Sequence, residues 1–262
     1  VRNFFFNEPF RNKWRENSKT IRYNEVGNAV TWECCMQYMH TKMNIIEDNE
    51  MHHALQILSD GNCLYVSCTG PYNVIRRNYM HHVGIGNGKY DLPKSVFRTD
   101  GWQMDTLITE NIFYKCACGI QRKNYNHFEN NYIIDMDKPS RYIIWASFPE
   151  DKPTMNSRVM RNIMYDLNSN PEFYLKVKYP GIDKVTFPKD SHVDYNVFYS
   201  KESPKHAKKF LSKWQKKENI DNNSIAVDPM FVDIENADFT LKPDSPALKL
   251  GIKQIDFKKI GL

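Results

Sequence analysis

The chain has no apolar run long enough to cross a bilayer, no CxxC pair, no zinc-type ligand spacing and no series of amphipathic stretches of helical length. The first absence argues against a membrane span. The cysteine spacing leaves all six, Cys34, Cys35, Cys63, Cys68, Cys116 and Cys118, to be read as buried thiols. A Cys63–Cys68 disulfide would fit the spacing, but nothing else in the sequence supports it. The last absence excludes helical repeats, in which every unit carries an amphipathic run of about ten residues or more. Glu47, Asp48, Asp135 and Asp137 form no EF-hand loop, so calcium is not indicated and no cofactor is expected. Gly84, Gly86 and Gly88 neither follow a strand nor open a helix, which argues against a phosphate-cradling loop. Initiator methionine, signal peptide and polar cap are all missing ahead of Val1, and the expectation is a fragment without its N-terminal coils and targeting signal.

What the chain does have is a repeat. An apolar residue is followed three positions later by asparagine, and two residues further by another apolar one, in seven places. The asparagines are Asn24, Asn49, Asn78, Asn111, Asn131, Asn162 and Asn196, with spacings of 25, 29, 33, 20, 31 and 34 residues. Repeats of that size with variable loops belong to solenoids. Each copy lies in a short alternating segment such as residues 73–80 or 192–199, which reads as strand. Second apolar segments follow at residues 54–58, 96–99, 119–122 and 142–145. The expected fold is therefore all-β, a right-handed parallel β-helix of about seven coils, each with two strands and a third short one. Stacked about 4.8 Å apart, the asparagines would form an amide ladder at a tight turn.

A continuous repeat over 262 residues reads as one domain, 1–262, expected as a monomer. Ser203-Pro204 offers an N-cap and first helical residue, and Ala207, Phe210, Leu211 and Trp214 share one face. Residues 203–218 thus read as a helical insertion on the side of the solenoid, with 225–262 as a capping tail. The net charge of +5 is spread through the coils except in residues 205–217, which read as the wet face of that helix; no nucleic-acid partner is expected.

Aligning the coils on their asparagines puts Asp60, Asp100 and Lys123 in one column, provided that a loop at 84–94 accounts for the longer offset to Asp100. Two carboxylates on adjacent coils would stand about 5 Å apart, near the separation of a retaining glycosidase pair. The plainer reading makes each Asp-Gly a turn. The surroundings favour chemistry: Trp102 offers a platform for a sugar ring, and Arg98, Gln103, Gln121, Arg122, Lys123, Tyr125 and His127 offer hydrogen-bonding and stacking groups. The pairs His52-His53 and His81-His82 occupy one repeat position. Neighbours on a strand point to opposite faces, so each pair would supply a single ligand to any metal, and no metal site is expected.

The run 53–78 with Asp60-Gly61 and Gly70-Pro71-Tyr72-Asn73, the segment Arg98-Thr99-Asp100-Gly101-Trp102-Gln103, and Asn126-His127-Phe128-Glu129-Asn130-Asn131 resemble secreted right-handed parallel β-helix proteins of polysaccharide-degrading bacteria. The tail, with Asp228-Pro229-Met230-Phe231 and Pro243-Asp244-Ser245-Pro246, is similar to the end of the same group. The resemblance implies a secreted, periplasmic or cell-surface location and a polysaccharide or oligosaccharide substrate. It also implies a pair of aspartates on neighbouring coils, matched here by Asp60 and Asp100. The expected activity is glycoside hydrolysis. The alternatives are a polysaccharide lyase using Lys123 or Arg98 as base on a uronate-containing glycan, and a non-catalytic glycan-binding β-helix.

Overall fold

The computed structural model describes residues 39–57, 61–84, 94–101, 103–137, 139–147, 157–178 and 191–261. Three parallel sheets run along one axis. The first holds β1 (Ile45–Glu47), β4 (Asn73–Arg76), β7 (Thr106–Thr109), β10 (His127–Glu129), β13 (Arg158–Met160) and β16 (His192–Asp194). The second holds β2 (Glu50–His52), β5 (Tyr79–His81), β8 (Ile112–Tyr114), β11 (Tyr132–Ile134), β14 (Ile163–Asp166) and β17 (Val197–Ser200). The third holds β3 (Leu64–Ser67), β6 (Ser95–Asp100), β9 (Cys118–Arg122), β12 (Arg141–Ser147) and β15 (Glu172–Lys178). Every coil contributes to the sheets in the same order, which makes a right-handed parallel β-helix. Fewer coils are described than the seven expected, and the copy at Asn24 lies outside the described residues.

The core consists of side-chain columns, because stacked coils keep register. Ile46, Ile75, Ile108, Phe128, Val159 and Val193 pair in sequence down the first sheet. Met51, Met80, Phe113, Ile133, Met164 and Phe198 do so down the second, and Leu64, Phe97, Ile120, Ile143 and Tyr174 down the third. In β9 the coils approach so closely that a Cβ on Gly119 would stand 2.1 Å from the Tyr142 carbonyl oxygen, so only glycine fits.

The asparagine ladder forms at the corner between the first and second sheets. The Nδ2 of Asn49, Asn78, Asn111, Asn131 and Asn162 each donates to the Oδ1 of the next asparagine, at 2.9 to 3.2 Å. The same Oδ1 also accepts the backbone N–H of the asparagine below it. The residue before each asparagine, Asp48, Arg77, Glu110, Asn130, Arg161 or Tyr195, is left-handed, with φ between 50° and 58°. A left-handed non-glycine residue costs roughly 1–2 kcal/mol, and the ladder bonds offset it at every corner. A second ladder of mixed residues, absent from the repeat pattern, lies at the corner between the third and first sheets. There Asn44 donates to Asn73, Thr106 N–H to Asn126, and Asn126 N–H to the Ser157 hydroxyl.

The ladder ends on a buried carboxylate. Asp221 accepts from Asn196 Nδ2 at 2.9 Å, from the Ser224 hydroxyl at 2.7 Å and from the Tyr174 hydroxyl at 3.0 Å. Burial outweighs these donors and pushes its pKa up to about 6. A carboxyl raised in the folded state contributes stability that is full below its unfolded pKa and is lost as pH rises through the folded one. The contribution is about 3 kcal/mol at most, lost across roughly pH 4 to 6. Asp221→Asn keeps an acceptor for Asn196 and Ser224 and removes the charge. In urea titrations at pH 5 and pH 7.5, the wild type should lose stability relative to this variant at the higher pH.

The helix and the tail exchange the roles expected of them. Helix α1 (Pro204–Glu218) does begin with Pro204 in its first turn, but the Ser203 side chain makes no cap bond. Its Ala207 and Leu211 join the interior cluster, and Phe210 packs on Phe173, Tyr174 and Phe198 of the last rung at 5.1 to 5.4 Å. The helix thus closes the end of the core rather than its side. Beyond it, hairpin β18 (Phe231–Asp233) and β19 (Asp238–Leu241) and the short helix α2 (Pro246–Lys249) lie on the outer face of the second sheet. Phe231, Phe239, Leu241, Ile252 and Ile255 cover Ile112, Tyr132, Ile163 and Val197 there. The tail runs from the Val197–Ile225 bridge back to Gly261, whose N–H donates to the Asp48 carbonyl. It is a strap along the side.

Cys63, Cys68, Cys116 and Cys118 are free thiols, so Cys63 and Cys68 are not bridged. Burial pushes the Cys63 and Cys118 thiols up to about 11 and that of Cys116 to about 12. Cys34 and Cys35 lie outside the described residues.

Candidate functional site

Strand alternation separates the two faces of the third sheet. Leu64 and Val66, Phe97 and Thr99, and Ile120 and Arg122 share one parity; Tyr65, Arg98, Asp100 and Gln121 share the other. Tyr65 is in register with Arg98, Arg98 with Gln121, and Ser67 with Asp100. The residue below Asp100 on the preceding coil is therefore Ser67. Asp60 lies outside the described residues, ahead of β3, and the expected Asp60–Asp100 column gives way to a Ser67–Asp100 one. The expected loop at 84–94 falls largely outside the described residues too.

Asp100 stands at the end of β6 at the centre of a charged cluster. Its Oδ1 contacts the Lys123 ammonium and accepts the Gly101 N–H at 2.9 Å. Its Oδ2 accepts the Tyr65 hydroxyl and pairs with Arg98 Nη2 at 3.0 Å. The Arg98 guanidinium also lies 5.5 Å from the centre of the Tyr65 ring. Lys123 is placed by its coil as well: its N–H donates to Thr99 Oγ1, whose hydroxyl donates to the Lys123 carbonyl. Burial alone would raise the Asp100 pKa; the Lys123 charge and hydrogen bond, the Tyr65 hydroxyl and Arg98 outweigh it and hold the carboxyl below its ordinary value. The described groups that contact the Asp100 side chain are two cations, a phenol and the Gly101 N–H. Asp100 is an anion at neutral pH.

The other expected groove residues divide. Tyr125 is partly exposed at the corner after Lys123, with its ring edge-on to His127 at 5.0 Å. His127 is buried, accepts the Arg158 N–H at Nδ1 and donates from Nε2 to Asp105 Oδ1 at 3.3 Å. Burial first, then the Arg158 charge, hold its pKa below the ordinary value against the pull of Asp105. Gln103 is buried with its amide donating to Thr106 Oγ1 at 2.5 Å, and Gln121 is buried and accepts from Ser95 Oγ at 3.5 Å. Both amides serve the coil rather than an open groove. Arg122 shares the core parity: it is 2% exposed, 4.5 Å from the Trp145 ring centre, and donates to the Asn124 carbonyl. Trp102 lies outside the described residues.

Tyr65 escaped the sequence reading. The apolar run 54–58 looks like this coil's second strand, but among its described residues it forms turns and bends; the strand is Leu64–Ser67, one loop later. The signal for it was the alternation of Leu64 and Val66 with Tyr65 and Ser67.

Among the described residues no helix is long and apolar enough to cross a membrane, and no three histidine, cysteine or carboxylate side chains are arranged to hold a metal ion. No protein-family model matches the chain, and no curated protein and no solved structure matches it.

Proposed function

We propose that this β-helix is a glycoside hydrolase acting on a polysaccharide or oligosaccharide, with the Asp100 cluster at its centre. The observation that carries this reading is the Asp100 carboxylate held between Lys123, Arg98 and Tyr65 on one sheet face. A carboxylate kept anionic at neutral pH suits the nucleophile or base of glycosidic cleavage, and the flanking cations and phenol suit binding of sugar hydroxyls. Tyr125 and Trp102 are the proposed stacking groups, and Gln103, Gln121 and His127 the proposed supporting residues.

The lyase reading is weaker on the same geometry. A base that abstracts a proton from a uronate must have a lone pair free to reach it, and both Lys123 and Arg98 are engaged by the Asp100 carboxylate. Product chemistry separates the readings. Incubation with a panel of neutral and uronate-containing glycans should release new reducing ends without ultraviolet absorbance from unsaturated sugars. Absorbing products would replace this proposal with β-elimination, and binding without release would replace it with a glycan-binding role.

A further inference from the structure

His52-His53 and His81-His82 lie at the corner where the second sheet ends, one pair above the other. The expectation that neighbouring histidines face opposite ways fails here for a backbone reason. His53 and His82 are left-handed, with φ of 54° and 53°, and this turns the second ring of each pair back to the side of the first. As a result Nδ1 of His52 stands 2.7 Å from Nδ1 of His53, and the same 2.7 Å separates His81 from His82. The pairs stack, His52 on His81 at 5.0 Å and His53 on His82 at 5.4 Å between ring centres.

Glu50 Oε1 lies 2.9 Å from His81 Nε2. A carboxylate there holds the proton on Nε2 and leaves the His81 Nδ1 lone pair directed at His82. Carboxylate to histidine to metal is the arrangement that fixes ring and tautomer in metal sites. Two imidazole nitrogens bound to one ion at about 2.0–2.1 Å lie about 3 Å apart, close to the separation already present.

We propose that each histidine pair chelates one divalent transition-metal ion of the zinc, copper or nickel class through its two Nδ1 atoms, with His81-His82 the stronger site. Since no three ligating side chains converge among the described residues, water completes the coordination of each ion. Binding needs no oxidant and no net proton release: the proton shared between the Nδ1 atoms of a neutral pair moves to the free Nε2 of His82. The charges facing the pairs are Glu50, which favours a cation, and Lys115, which opposes one; Tyr79 stacks on His81 at 4.3 Å and Tyr114 lies edge-on to His82 at 6.1 Å. His52 and His53 are exposed, so ions have a path in.

Titrating the full chain with zinc chloride by calorimetry at pH 7.5 tests this. The expected result is saturable binding that is lost at its tighter step in His81→Ala/His82→Ala and weakened about 10-fold in Glu50→Gln, where both imidazoles remain. Copper loading should give an electron paramagnetic resonance spectrum split by two nitrogens. Circular dichroism checks that the variants keep the β-helix, and Glu50→Gln, at a residue 43% exposed, keeps the test alive if the double variant unfolds. No saturable binding by the wild type, or equal affinity in wild type, double variant and Glu50→Gln, overturns the proposal.

Discussion

Asn111→Ala should destabilise the β-helix by about 3–5 kcal/mol, whereas Asn49→Ala should cost about 1 kcal/mol or less. The difference follows from position in the ladder. Asn111 is fully buried; its Oδ1 accepts both the N–H and the Nδ2 of Asn78, and its Nδ2 donates to Asn131 and to the Ile75 and Thr109 carbonyls. Alanine removes the amide and leaves buried partners on three coils without it. Each unsatisfied buried group costs about 1–3 kcal/mol, and two or three count fully because water cannot reach them. Asn49 begins the described ladder and is exposed, so water replaces what it loses. Urea denaturation of the two variants measures the contrast, and equal losses would mean that the ladder carries no weight beyond its single bonds.

Asp100→Asn should lower turnover by at least about 1,000-fold, the scale on which removing a reacting group acts. It also has a structural cost. Lys123, 2% exposed, and Arg98 lose their counter-charge, and breaking a buried ion pair from one side costs about 3–5 kcal/mol. Lost activity in this variant alone could therefore come from a loosened site. Lys123→Met added to it removes the more deeply buried of the two orphaned cations and should restore much of the stability, because a packed apolar side chain replaces a buried charge well.

The architecture was legible because its signal is local and repeated. An apolar residue, a left-handed corner and an asparagine recur within a few positions, and a parallel stack forces identical environments on identical places. The mixed ladder with side-chain acceptors Asn73, Asn126 and Ser157 was not legible, since amide and hydroxyl side chains can share one role. Asp100 and Lys123 meet because they stand at the ends of consecutive strands of the third sheet, whose apolar patterns are clear in the sequence. The partner on the coil below was misplaced because that coil carries an apolar decoy at 54–58 ahead of its strand. Counting residues across unequal loops could not distinguish Asp60 from Ser67. The histidine pairs show a further limit: alternation holds along a strand and fails at the residue that follows it, where His53 and His82 turn left-handed.

The most direct test of the proposed chemistry is the turnover of Asp100→Asn/Lys123→Met, measured as reducing ends released from the best glycan substrate, beside its stability in urea. The account predicts a variant more stable than Asp100→Asn alone and still at least about 1,000-fold slower than the wild type. Recovery of wild-type turnover with the restored stability would contradict it and leave Asp100 as a structural counter-ion.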